Sequence, residues 1–108
     1  MRIKEVTDEA IVFDNGNTIT YDHWQECCEY NYADFKQLDD LARSYDFDED
    51  EIRFEYCESG FKFGDDRRMF FVPCYSSQNG YYSNIVNIYY TGKLRVLDVD
   101  ADIVGACW

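Results

Sequence analysis

Along most of this chain apolar residues recur at every second position in short runs broken by turn residues, the period of a strand with one dry face. Residues Glu9–Asp14 and Asn17–Asp22 flank Asn15-Gly16. Both turn residues tolerate a positive φ, so the pair predicts a hairpin. In its second arm Ile19 and Tyr21 face one side, and Thr18 and Thr20 the other. Ile52, Phe54 and Tyr56 alternate with Arg53, Glu55 and Cys57, which predicts a half-buried strand. Ser59-Gly60 and Gly64-Asp65-Asp66 then punctuate Phe61–Phe63. Arg67–Tyr75 reads as a more buried strand, in which Pro73 has no amide to donate and marks an edge or a strand end. Asn79-Gly80 leads into Tyr82–Tyr90, and Thr91-Gly92 turns into Leu94–Val99. Asp98, Asp100 and Asp102 alternate with Leu97, Val99, Ala101 and Ile103, predicting one wet acidic face and one dry apolar face.

One segment keeps the helical period instead. Phe35, Leu38, Leu41 and Ala42 fall on one stripe that Tyr45 continues, and Asn31 or Asp34 offers a side chain to cap its start. The pattern therefore predicts an α+β fold: one mainly antiparallel β-sheet of hairpins, with Ala33–Tyr45 as the one principal helix packed on it. Residues 1–108 make a single domain, for which the expected radius of gyration is about 13 Å.

Composition sharpens the class. Twenty-two Asp+Glu against ten Lys+Arg leave a formal charge of −12 on 108 residues, and 19% of the chain is aromatic. So many rings argue against disorder. So much acid argues against direct nucleic-acid binding, which needs cations to neutralise phosphates, and against an anionic membrane surface. The N-terminal residues Met1-Arg2-Ile3-Lys4-Glu5-Val6 are too polar for a secretory leader, and Met69-Phe70-Phe71-Val72 is too short to span a bilayer. Five cysteines cannot all pair, and Cys27 and Cys28 are adjacent, which favours free thiols and a cytoplasmic location.

Three groups of residues carry candidate chemistry. His23 and Cys27, with Cys28 beside them, are zinc-type ligands four residues apart. Cys57, Cys74 or Cys107 would have to complete the site, and no C-x-x-C spacing is present. The simpler reading is that the cysteines are small buried hydrophobes. The same His and Cys pair lacks any marked orienting group or oxyanion hole, so no catalytic residue is assigned and the chain reads as non-enzymatic, without a cofactor. Asp46, Asp48 and Asp50 imitate the start of a calcium loop, but Glu51 stands where that loop needs Gly and Cys57 where it needs Glu. Asp46, Asp48, Glu49, Asp50 and Glu51 read instead as an acidic face for a partner. Lastly, Lys62, Arg67 and Arg68, with Tyr75, Tyr81 and Tyr82, form an alternative set that would hold a phosphate while rings stack on a base. Against that stands an ordinary solvated hairpin end.

Two stretches have a family look. Phe13-Asp14-Asn15-Gly16 followed by His23-Trp24-Gln25-Glu26-Cys27-Cys28-Glu29 and Ala33-Asp34-Phe35 is one. Phe70-Phe71-Val72-Pro73-Cys74-Tyr75-Ser76-Ser77-Gln78-Asn79-Gly80-Tyr81-Tyr82 is the other. Together they resemble a family of small uncharacterised domains of bacteriophages and their bacterial hosts, across most of the chain. The resemblance implies a phage-type accessory protein, a class that includes inhibitors of host defence, working in the host cytoplasm. The expectation is then an acidic interaction protein that covers a basic, nucleic-acid-binding surface of a host protein, with a second copy of the chain as a further candidate partner. The alternatives are a sponge that sequesters a small nucleotide-like ligand, and a Cys/His zinc domain.

Overall fold

The computed structural model describes residues 1–22, 30–78, 80, 83–91 and 94–104. The Asn15-Gly16 turn forms as its chemistry requires. Gly16 has φ +92°, the Asn15 side chain accepts from the Asn17 amide at 3.0 Å, and the Phe13 amide donates to the Asn17 carbonyl at 2.8 Å. It joins β2 (Ala10–Phe13) to β3 (Thr18–Asp22). With β1 (Ile3–Val6), β8 (Ile85–Tyr90) and β9 (Leu94–Asp100) these make a five-stranded antiparallel sheet in the order β1-β2-β3-β8-β9.

A second sheet is built around β7 (Met69–Ser77). Its first half pairs with β6 (Gly60–Gly64), which pairs in turn with β5 (Arg53–Cys57). Its second half pairs antiparallel with β4 (Tyr30–Ala33) and parallel with β10 (Asp102–Val104). The amides of Cys74 and Gln78 point the same way, to the carbonyls of Ser59 and Val104, so β10 continues the line of β6. Pro73 lies in the middle of β7, yet its carbonyl accepts from the Asp34 amide just where β4 ends. Its missing donor therefore costs only the terminal rung of that ladder.

The expected single sheet is thus two sheets, and the expected principal helix is absent. Within Ala33–Tyr45 the chain makes only a 3₁₀ turn at Phe35–Gln37 and a five-residue helix α1 at Asp40–Ser44. The fold is closer to mainly-β than to α+β. Phe35, Leu38 and Ala42 are buried as the stripe requires, but Leu41 is 56% exposed. The physical reason is Asp39. Its side chain accepts from the Leu41 amide at 3.0 Å, which starts a new helix in mid-segment instead of continuing an old one. Upstream, Asn31 and Ala33 point into the core while Tyr30 and Tyr32 point out, so strand alternation takes over.

Between the sheets lies a shared core, with Ile11, Phe13, Ile19, Val86, Ile88 and Val99 from one and Phe61, Phe63, Phe70, Val72 and Cys74 from the other. Two strand-edge expectations need correction. Tyr56 is 53% exposed because β5 is an outer strand, and Ile103 is 47% exposed because the chain changes sheets at Ala101. Asn84 clamps that corner, its side chain donating to the Ala101 carbonyl and its carbonyl accepting from the Ala101 amide, each at 2.9 Å. The radius of gyration is 13.9 Å and the molecule is elongated, 41 × 25 × 21 Å.

The centre of the aromatic core comes from an unexpected place. Phe47, inside the acidic run, is 1% exposed and meets Phe13, Tyr45, Phe63 and Phe70 at centroid distances of 5.7, 4.7, 5.5 and 5.6 Å. Most of these contacts are edge-to-face, the favoured geometry for ring quadrupoles. Phe47→Ala removes the ring that all four share. It is expected to lower unfolding stability by about 4 kcal/mol, read as an earlier urea midpoint with an unchanged slope.

Candidate interaction surface

The acidic run leaves α1, crosses the core at Phe47 and turns toward β5. Its backbone is tied on three sides. The Phe47 amide donates to the Met1 carbonyl at 2.8 Å, and the terminal ammonium of Met1 donates to the Phe47 carbonyl at 2.7 Å and to Asp46 at 3.2 Å. The Asp48 amide donates to Asp65 at 3.1 Å, and the Asp48 side chain accepts from the Asp50 amide at 3.1 Å. Glu49 accepts from the Asn15 side chain at 2.6 Å, joining the run to the first hairpin. All five acidic side chains are nevertheless exposed. Among them Asp46, Asp48 and Glu49 hold the turn together, while Asp50 and Glu51 only project.

What holds the run in place is a carboxylate that the sequence presents as an ordinary turn residue. Asp65 is fully buried. One of its oxygens accepts from the Tyr45 hydroxyl at 2.8 Å and from the amides of Arg67 and Arg68 at 3.0 and 3.2 Å. The other accepts from the Asp48 amide and the Arg67 guanidinium, both at 3.1 Å. Burial alone would push this carboxyl up, but the bonds from Asp48, Tyr45 and Arg67 outweigh it and hold the group well below the usual carboxylate range. Arg67 also donates to the Asp46 carbonyl at 2.7 Å and lies 5.2 Å from the Tyr45 ring centroid.

This commits part of the expected phosphate set. Arg67 serves Asp65, and the Arg68 guanidinium lies 4.9 Å from the Phe70 ring centroid. Lys62 sits further back on β6, opposite Phe71. Tyr75 is seven residues beyond Arg68, which at about 3.3 Å per residue is some 23 Å along β7. Lys62, Arg67 and Arg68 are therefore not gathered around Tyr75. Tyr81 and Tyr82 lie outside the described residues, as do His23, Cys27 and Cys28. Among the described residues no three His, Cys, Asp or Glu side chains are grouped to hold a metal ion. Cys57 and Cys74 are free thiols. Burial pushes both up, Cys74 to about 12, which keeps them protonated at neutral pH.

The two acidic stretches are also separate. Asp98 pairs with Asn87 and lies four residues into β9, about 13 Å from its Leu94 end. The Leu94 end pairs with Tyr90, whose hydroxyl accepts from Asn17 in the hairpin turn that Asn15 ties to Glu49, so it is the end nearer the acidic turn.

A row of tyrosines is the feature the sequence did not announce. On the outer face of the second sheet Tyr32 is the cross-strand partner of Tyr75, with centroids 5.7 Å apart, and Tyr30 follows at 4.9 Å. Gln37 donates to Asp34 at 2.8 Å and to the Tyr75 hydroxyl at 3.2 Å, fixing that end. At the other end Tyr30 and Tyr21 line a shallow cleft with Glu9, Ala10 and Thr20. Burial first, then the neighbouring Tyr30 and the Glu9 and Asp8 charges, push the Tyr21 hydroxyl up. Neighbouring residues of the second motif face inward. Ser76 donates to the Asn31 side chain, and Gln78 donates to Ser76 at 2.6 Å and to the Ser83 carbonyl at 3.2 Å.

The buried carboxylate gives a pH signature. Because the folded carboxyl titrates below the unfolded one, its contribution is complete above the ordinary aspartate value near 3.9 and is lost as pH falls below it. Asp65→Asn places an amide among donors and is expected to cost about 3 kcal/mol at pH 7. Urea denaturation at pH 7, 5 and 3 should show that gap constant between the first two and narrower at the third.

No protein-family model, no curated protein and no solved structure matches this chain.

Proposed function

We propose that this chain is a small acidic, non-enzymatic interaction protein that covers a basic, nucleic-acid-binding surface of a protein partner, as a phage-type accessory inhibitor of host defence would. The observation that carries the reading is the acidic turn. Carboxylates of Asp46, Asp48, Glu49, Asp50 and Glu51 are exposed on a backbone fixed by Phe47 below and by Asp65 and Met1 beside it. A charged loop already held in one shape loses little conformational entropy on docking. Lys36, Arg43, Arg67 and Arg95 are meanwhile paired with Asp8, Asp40, Asp65 and Asp98, so those cations are already engaged within the chain. The net charge of −12 would steer the chain toward a basic partner over distances set by salt. The phage context and the inhibitor role rest on the two motifs that resemble the small phage and bacterial domains. No helix among the described residues is long and apolar enough to cross a membrane.

The geometry selects which acids to neutralise. Asp48→Asn keeps its bond from the Asp50 amide, and Asp50→Asn with Glu51→Gln touch no other tie, so the triple variant removes three charges and spares the fold. Against a partner captured from host lysate, surface plasmon resonance should show association slowed about tenfold at low salt, with dissociation nearly unchanged. The same loss should follow for the unaltered chain on raising salt from 0.01 to 0.15 M, as the screening length shrinks from about 30 to about 8 Å. Association that ignores both salt and the three charges would mean that the acid serves solubility alone.

A further inference from the structure

We propose that the cleft between Tyr21, Tyr30 and Glu9 is the seat of an arginine side chain from the basic partner, with the tyrosine row continuing as the track along which that partner segment lies. The inference rests on the reading of the chain as an acidic binder and names the contact that would give it specificity.

The site sits apart from the acidic turn, where β2 begins, β3 ends and β4 begins. It is lined by Ala10 and Thr20, which are cross-strand partners, by two tyrosines and by one carboxylate. Tyr30 is 52% exposed and its ring leans on Tyr32 at 4.9 Å, so it reaches solvent from a supported position. Asp8 is already paired with Lys36 at 3.3 Å, whereas Glu9 makes no ion pair among the described residues. The cleft thus combines a half-exposed phenol ring with a carboxylate that makes no ion pair among the described residues, and both attract a cation.

The chemistry favours guanidinium over ammonium. A guanidinium is planar, is weakly hydrated, stacks on a ring and presents paired donors to a carboxylate, while an ammonium is a compact and strongly hydrated point charge. Tyr30 supplies the face and Glu9 the carboxylate. Tyr21 lines the cleft beside Tyr30, and burial holds its hydroxyl protonated. Beyond Tyr30 the rings of Tyr32 and Tyr75 continue the surface, with the Asp34 carboxylate beside them bonded to Gln37. The row therefore offers further stacking positions flanked by acid to an extended basic segment.

The test uses the full chain and two blocked peptides of equal charge, one with arginine and one with lysine at every second position between glycines. Titration calorimetry and amide chemical-shift mapping are run on the unaltered chain, on Tyr30→Ala, on the isosteric Glu9→Gln, and on the Asp48, Asp50 and Glu51 triple variant. The arginine peptide is expected to bind about fivefold more tightly than the lysine peptide, with shifts centred on Glu9, Tyr21 and Tyr30. Tyr30→Ala and Glu9→Gln should each abolish that preference while the lysine peptide binds as before. The triple variant should weaken both peptides equally and keep the ratio. Equal affinity for the two peptides, or a preference that survives both cleft substitutions, overturns the arginine seat but leaves the acidic-binder reading standing. Failure of both peptides to bind at low salt overturns the two together.

Discussion

The structure turns on one buried carboxylate. Asp65 gathers the Tyr45 hydroxyl, the Asp48 amide and the amides and guanidinium of its own turn, so it ties the β6–β7 hairpin to the segment that leaves α1. Burying an ionised group is costly unless every oxygen is answered. Here five donors answer two oxygens, and the cost is met by charge-assisted bonds that are stronger than neutral ones. Phe47 lies between these tethers, packed among four rings. Hydrophobic anchor and buried charge therefore act on neighbouring residues of one loop, and neither could place it alone. The ring sets its depth and the carboxylate sets its orientation.

From that constraint the shape of the proposed interaction surface follows. A run of acid in a flexible loop would present its charge as a diffuse cloud. This run has its backbone fixed at Asp46, Phe47 and Asp48 and its side chain Glu49 bonded to the first hairpin. The tyrosine row is fixed by different means, namely the strand pairing of β4 with β7, the ring contacts along the row and the Gln37 bond to Tyr75. The molecule thus carries two separately organised features, one of charge and one of aromatic faces, and both suit a cationic protein partner. Steering by the first and selection by the second would divide the work between association rate and residence time.

Much of the β architecture was legible because it is written locally. Asn15-Gly16 specifies its own turn, and the alternation from Phe61 to Val99 reports strands whatever they pack against. The helix was misread because Phe35, Leu38 and Ala42 reach one core from a 3₁₀ turn and a short helix, which mimics one stripe, while Asp39 restarts the chain between them. Strand β1 was not legible and β10 was read only as a continuation of β9, since the pairing of Ile3–Val6 and the parallel pairing of Asp102–Val104 with β7 depend on neighbours far along the chain. Asp65 was hidden for the same reason. Gly64-Asp65-Asp66 has the composition of a surface turn, and only Tyr45 and Asp48, brought back by Phe47, make its middle residue a core group. A lone phenylalanine among five acids was the signal available, and it marked the point where an exposed run must touch the interior. Tyr30 and Tyr32 went unread because they stand just before the segment whose helical stripe misled, where Asn31 reads as a cap.

Native-state amide hydrogen exchange reports whether the acidic turn is a fixed surface held from within. The amides of Phe47 and Asp48 donate to Met1 and Asp65 and should exchange as slowly as those of the core strands β6 and β7, while the amides of Asp50 and Glu51 exchange faster. Exchange of Phe47 and Asp48 at the rate of an open loop would contradict the account.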